Sequence, residues 1–264
     1  MARISVSGVS KAYPLQGGGE RLALEGIDLE VGAGEFLCLL GPSGCGKTTL
    51  LNILSGLDRA DAGRVSVSSD DGGPVVSGYM FQEPRLLPWM TVRENIRFVL
   101  DADKRADTAR ADAWLERVGL AGRGGDYPRQ LSIGQRQRVA VARALAIEPD
   151  VLFMDEPFSA LDELTASRMR EELLDLWAEL KCTVVFVTHN PMEATFLADT
   201  IAVMTPGPGR IVKRYPVSEL VPRPRDGDDV RLWHASRVAI NALRSHLRAY
   251  DHELVSTEQA TDQP

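Results

Sequence analysis

The stretch Gly41-Pro42-Ser43-Gly44-Cys45-Gly46-Lys47-Thr48-Thr49 decides the reading of this chain. It follows a continuous apolar run, Phe36-Leu37-Cys38-Leu39-Leu40, as a strand buried on both faces requires. Leu50, Leu51, Ile53 and Leu54 come next, at helical spacing. A strand, a G-x-x-x-x-G-K-[ST] loop and a helix together make a phosphate cradle. The glycines let the backbone curl with its N–H groups facing an anion, and the helix beginning near Lys47 presents its positive end. Gly41, Pro42, Ser43, Gly44, Cys45, Gly46, Lys47, Thr48 and Thr49 are the candidate phosphate-binding residues. Lys47 is expected to bridge the β- and γ-phosphates, and the Thr48 hydroxyl to hold Mg²⁺. The Cys45 side chain has a plainer reading, a small group filling a tight loop.

Two further apolar runs end in polar residues. Val151-Leu152-Phe153-Met154 leads into Asp155-Glu156, and Val184-Val185-Phe186-Val187 into Thr188-His189. Helical patterns lie around 165–180 and 190–198. Buried strands alternating with helices imply a parallel α/β sheet, in which ligands gather at the carboxyl ends of the strands. Asp155 is therefore a candidate Mg²⁺ ligand, and Glu156 a candidate for polarising an attacking water. A lone histidine is more often structural, but the strand-end position of His189 makes a functional role equally reasonable.

Ile4-Ser5-Val6 and Ile27-Asp28-Leu29-Glu30-Val31 alternate apolar and polar, which predicts half-buried antiparallel strands joined through a loose turn at Gly17-Gly18-Gly19. Residues 84–135 lack a strong strand run and carry helical patterns at Val92–Leu100 and Arg110–Val118, so they read as a helical insertion. The segment 216–264 opens with Pro222 and Pro224. It continues as an amphipathic helix with Leu232, Ala235, Ala239 and Leu243 on one face, and its last ten or so residues are expected to fray.

Composition sets the outer limits. The 264 residues are of ordinary globular make-up, with 44% hydrophobic and 25% charged side chains, enough to bury a core without disulfides. Lysine plus arginine total 30 against 37 acids, a net charge of −7, which disfavours a nucleic-acid-coating role. Cys38, Cys45 and Cys182 are odd in number and have no CxxC spacing, so a reducing cytosol is expected. No apolar run approaches the ~20 residues of a membrane span. Met1–Val6 lacks the apolar core of a signal peptide. The chain is thus expected to stay in the cytoplasm and to reach a membrane only through a partner.

Leu131-Ser132-Ile133-Gly134-Gln135 resembles the LSGGQ signature of ATP-binding-cassette ATPases, and the other motifs of that family occur in its order. Tyr13 resembles the A-loop aromatic that stacks on adenine. Gln82 resembles the Q-loop glutamine, Val151–Glu156 Walker B with its catalytic glutamate, Ser159-Ala160-Leu161-Asp162 the D-loop, and His189 the H-loop switch histidine. The resemblance covers about 3–215. It implies a P-loop NTPase (RecA-like) α/β core with an antiparallel β subdomain and an α-helical subdomain inserted at about 84–135. Together these form an ATPase domain over 1–215, with 216–264 a short extension. It also implies ATP and Mg²⁺ as ligands. Glu156, His189 and Lys47 would be catalytic, Thr48, Gln82 and Asp155 metal-binding, and Ser132, Gly134 and Gln135 would contact nucleotide across a dimer.

Phe81-Gln82-Glu83-Pro84-Arg85-Leu86-Leu87-Pro88-Trp89, Thr91-Val92-Arg93-Glu94-Asn95 and Glu193–Asp199 resemble the nitrate/sulfonate/taurine importer branch. That implies an ATPase subunit on the cytoplasmic face of the inner membrane. Its partners would be a second copy arranged head to tail, integral permease subunits and, indirectly, an extracytoplasmic substrate-binding protein, with no nucleic acid. The alternatives are a mechanical cassette protein of DNA repair or translation, or an ATPase of another transporter branch. Ile133 departs from the signature's usual glycine. A β-branched residue resists positive φ and close backbone approach, while Ser132 and Gly134 remain and Ser132 is expected to cap the helix that starts at this point, so a working signature is expected, weaker than usual.

Overall fold

Every residue of Phe36–Leu40 is buried in strand β3, as its unbroken apolar run requires. Before it come β1 (Ala2–Pro14) and β2 (Glu20–Val31), antiparallel from Ile4↔Val31 to Pro14↔Glu20, with buried and exposed residues alternating along much of their length. The structure is a computed structural model describing residues 1–100, 108–227 and 229–241. It divides into two compact units. One comprises Met1–Arg3, Gly32–Gly34 and Val67–Phe186; the other comprises Ile4–Val31, Glu35–Ser66 and the chain from Val187 onward.

In the second unit, β4 (Ala62–Ser69) joins β1 to complete a three-stranded sheet of order β2-β1-β4. Helix α1 (Lys47–Leu54) leaves the carboxyl end of β3. Strand β8 (Thr200–Met204) pairs parallel with β3, and β9 (Ile211–Pro216) pairs antiparallel with β8. The first unit places β5 (Ser77–Met80) parallel beside β6 (Val151–Asp155), with β7 (Thr183–Thr188) starting on the other side of β6.

Helices α2 (Val92–Arg97), α3 (Thr108–Arg117) and α4 (Ile133–Leu145) pack on one another; α4 only begins within the expected insertion at about 84–135 and runs on to Leu145. Helix α2 stops at Arg97, short of the expected Leu100. Helix α5 (Glu163–Leu180) follows β6, and α6 (Pro191–Leu197) follows β7. After the short α7 (Val217–Leu220), the chain is helical again over 230–241. Leu232, Ala235 and Ala239 are buried there, and Leu232 and Ala235 cluster with Val221 against Phe196. Leu243 and the expected frayed end lie outside the described residues.

Ile133 is not asked for a left-handed backbone. It is the first helical residue of α4 and does not have positive φ. Its side chain is 50% exposed, so no backbone in this chain packs tightly over it.

Candidate functional site

In the second unit the cradle is built by one sharp change of direction. Gly46 takes φ 94° at the N-cap of α1, and a Cβ there would sit 2.7 Å from Leu24 Cδ2 and 2.8 Å from the Ala23 carbonyl oxygen. Only glycine fits both demands. The N-cap glycine has no side chain with which to cap α1, and the positive end of a helix favours an anion. Lys47 is almost wholly buried, and its Nζ donates to the carbonyl oxygens of Gly41 and Pro42, each at 2.9 Å. The ammonium is thereby folded back over the loop rather than extended into solvent. Cys45 is buried, in keeping with a space-filling side chain, while Ser43, Gly44 and Thr48 are exposed.

Tyr13 belongs to the same unit. Its hydroxyl donates to Asp58 Oδ2 at 2.7 Å, and Lys11 Nζ stands 5.2 Å from the ring centroid. Burial, with the Asp58 carboxylate beside it, holds the phenol above its usual range. The hydrogen bond from Tyr13, with help from the Arg59 amide and Lys11, holds Asp58 below its own. The ring is fixed yet still partly exposed, as a stacking platform must be. His189 is exposed at the end of β7 and is followed by α6.

The first unit carries the other motifs. Strand β6 is buried throughout and ends in Asp155, whose charge joins burial in pushing Tyr79 upward. Glu156 follows at φ 41°, a left-handed conformation that side chains other than glycine adopt at some energetic cost. Such strain is often stored at functional positions. The backbone beyond Glu156 is locked: its carbonyl accepts from Ser159 Oγ at 3.0 Å and Ser159 N at 3.2 Å. Gln82 Nε2 in turn donates to Ser159 Oγ at 3.4 Å. Gln82, Glu156 and Ser159 are thus brought together, as the sequence order alone does not reveal.

The signature is a helix start. The Ser132 Oγ accepts from Gln135 N at 3.2 Å, and Gln135 Oε1 accepts from Ser132 N at 3.0 Å, a complete capping box. Leu131 anchors the turn in the core, and Gly134 lies in the first helical turn. Buried Gln137 donates to the Pro157 carbonyl, tying α4 to the segment after Glu156. Asp162 caps α5 by accepting from Thr165 N at 3.0 Å, which lowers its pKa.

Sequence reasoning missed Gln137 and Asn95. Asn95 is fully buried, and its amide oxygen accepts from Leu87 N at 2.8 Å. Its nitrogen donates to the carbonyls of Leu87, Met90 and Thr91 at 3.1, 3.2 and 3.0 Å. A capping box between Thr91 and Glu94 and the bonds from Arg143 to the Pro84 and Arg85 carbonyls fix the rest of this loop. A polar residue within a helical pattern at Val92–Leu100 was the available signal.

A backbone cradle with a lysine, an acid pair at a strand end and a capped signature helix define a nucleoside-triphosphate-binding α/β protein of the P-loop class. The family profile described as "ABC transporter" matches residues 24–159. The chain is 47% identical over 204 residues to the aliphatic sulfonates import ATP-binding protein SsuB of Bacillus licheniformis, covering 76% of this chain and 80% of that one. It is 44% identical over 263 residues to the taurine import ATP-binding protein TauB of Chromobacterium violaceum, covering 94% and 95%. Among solved structures, the dimeric post-hydrolysis state of the ATP-binding cassette MJ0796 bound to ADP and Pi superposes with a TM-score of 0.69 at 30% identity, over 81% of this chain and 98% of that one. This chain belongs to the ABC transporter family, and it is an ATPase with the P-loop NTPase fold of that family.

Proposed function

We propose that this chain is the ATP-hydrolysing subunit of a membrane importer for a small anion such as a sulfonate, taurine or nitrate. The observation that carries this reading is the near end-to-end match to a taurine import subunit, which reaches beyond the cassette core into the C-terminal extension. Among the described residues no helix is long and apolar enough to cross a membrane. The chain would sit on the cytoplasmic face of the inner membrane, where separate integral permease subunits would receive the motion, and a substrate-binding protein would deliver the cargo. The ATPase domain is 1–215, with its helical subdomain at about 84–135, and 216–264 is the extension.

In this reading the backbone of Gly41–Thr49 and the Lys47 ammonium hold the phosphates, and Tyr13 stacks on adenine. Glu156 takes the proton of the attacking water, and His189 steadies the γ-phosphate as it leaves. Ser132, Gly134 and Gln135 of one copy face the nucleotide held by the other, in a head-to-tail pair of C2 symmetry. Thr48, Gln82 and Asp155 offer a hydroxyl, an amide oxygen and a carboxylate, an all-oxygen donor set that suits Mg²⁺. When bound, the ion would neutralise charge on the phosphates. Differential affinity of ATP for the closed pair would drive closure.

The test is affinity purification of the tagged chain from membranes. Co-purification of a polytopic permease is expected; a chain that never leaves the soluble fraction overturns the importer reading. Shared sites are tested with a mixed dimer, Lys47→Ala in one copy and Ser132→Arg in the other, with Glu156→Gln in both. One trapped nucleotide per mixed dimer and none in either homodimer is expected. Strong trapping by the Ser132→Arg homodimer overturns the signature's role.

A further inference from the structure

A helix leaves its last four carbonyls without partners of its own. At the seven-residue α6, those groups are taken by the C-terminal extension. Arg225 Nη1 donates to the carbonyl oxygens of Thr195, Phe196 and Ala198 at 3.0, 3.0 and 2.7 Å, and its Nε to that of Val221 at 2.8 Å. Arg223 donates to the Leu197 carbonyl and, through Nε, to Asp199 Oδ1 at 3.0 Å. Two guanidinium groups thus collect the carbonyls of four consecutive residues.

Arg225 is 8% exposed, and its Nη2 is buried without a hydrogen-bond partner among the described residues. Burial draws the guanidinium down to about 10, so it stays cationic at neutral pH. A buried cation with an unused donor is costly. Its place at the negative end of a helix offsets part of that cost.

The other end of α6 grips both neighbours of His189. Asn190 is the N-cap, its Oδ1 accepting from Met192 N at 2.9 Å. Thr188 Oγ1 donates to buried Glu193 at 2.6 Å and accepts from Asn190 N at 3.0 Å. His189 sits between these two tethered residues with its own side chain exposed. Asp199, bound by Arg223, also accepts from Phe36 N at 3.0 Å, so the same clamp reaches the first residue of β3.

We propose that Arg225, assisted by Arg223, is a positioning residue for His189: the extension holds α6 in place so that the histidine is presented for hydrolysis. The proposal rests on the reading of His189 given above. The hydrogen bonds given above for Arg225 go to Thr195, Phe196, Ala198 and Val221 and none to the cradle or to Tyr13, so nucleotide binding should be spared. With a neutral side chain at 225, α6 is released at its carboxyl end and the loop at 188–190 shifts with it.

The test uses the full chain. ATPase kinetics are measured beside the Cε1–H NMR resonances of its four histidines, with His189 assigned through His189→Gln. Arg225→Gln should lower kcat about 10- to 100-fold, the range expected for misplacement by a remote change, with KM for ATP nearly unchanged. The His189 resonance should move, and Arg225→Lys should recover part of both effects. Leu29→Ala, a destabilising change in β2, should leave that resonance in place. If Arg225→Gln does not fold by circular dichroism, Arg223→Gln decides in its stead. A folded variant with parental kcat, or with an unmoved His189 resonance, overturns the clamp. Parental turnover in His189→Gln overturns the reading of His189 itself, and the clamp with it.

Discussion

Ser132 has two jobs that a single substitution can separate. Its hydroxyl caps α4, accepting from Gln135 N at 3.2 Å. Its proposed second job is to face the partner copy's γ-phosphate. Loss of an N-cap costs about 1 kcal/mol. For a chain of this size that lowers Tm by roughly 2–4 °C, small beside a total stability of about 5–15 kcal/mol. Ser132→Ala alone therefore mixes a small stability loss with any functional loss. Ser132→Asp does not, because aspartate caps as well as serine and its charge suits a helix N-terminus. Its fold should be as stable as the parent's. A carboxylate facing the γ-phosphate at about 4 Å, in an effective dielectric of about 20, is repelled by about 4 kcal/mol for each unit of phosphate charge, roughly a thousandfold. Thermal melts and steady-state ATPase rates at saturating ATP read the two effects independently. We expect an unchanged Tm and a rate reduced about a thousandfold for Ser132→Asp, against a slightly lower Tm for Ser132→Ala. A Ser132→Asp chain that hydrolyses ATP at the parental rate would refute the placement of the signature at a nucleotide.

Three further outcomes follow from the geometry. Glu156→Gln should bind ATP yet lose about 10²–10⁴-fold in turnover, because it keeps the shape but not the base; near-parental single-turnover rates would reassign the role. Tyr13→Ala should raise KM for ATP by about 10- to 100-fold through lost stacking, whereas Tyr13→Phe, which gives up only the bond to Asp58, should change it about threefold or less; equal effects would show that the hydroxyl, not the ring, matters. The Asp162 carboxylate is held below its usual range by the Thr165 amide. Its contribution to stability is therefore full above about pH 4 and drains away as pH falls through its folded value. Asp162→Asn keeps a cap that does not titrate, so its urea midpoint should fall less than the parent's between pH 6 and pH 3; parallel profiles would remove the cap from the acid response.

The parts of this fold that sequence reveals are those whose cause is local. Strand β3 is five buried apolar residues in a row, the cradle is one contiguous motif, and the Ser132 cap lies three residues from its partner. Strand β5 escaped notice because Gly78, a poor strand former, sits inside it. The residue is there for space: a Cβ would come within 2.8 Å of the Ala144 carbonyl oxygen on α4, and that neighbour is 66 positions away. Gln137, Asn95 and Arg225 escaped for a related reason. Each is a buried polar side chain whose role is set by backbone groups it meets only in the fold, 20 positions away for Gln137, 27 to 30 away for Arg225, and in the preceding loop for Asn95. At Ile133 the family's usual glycine raised the question of a left-handed backbone, and the chain there is simply the first residue of a helix.

The knot at Asn95 has an entropic consequence. Four hydrogen bonds from one buried side chain restrain the loop at 87–91, yet Trp89 in its middle is 70% exposed. The freedom that a surface loop ordinarily surrenders on docking, about 1–2 kcal/mol per residue ordered, has already been surrendered during folding. A partner that receives Trp89 meets a rigid spur, and the free energy of contact goes into holding it rather than into ordering it.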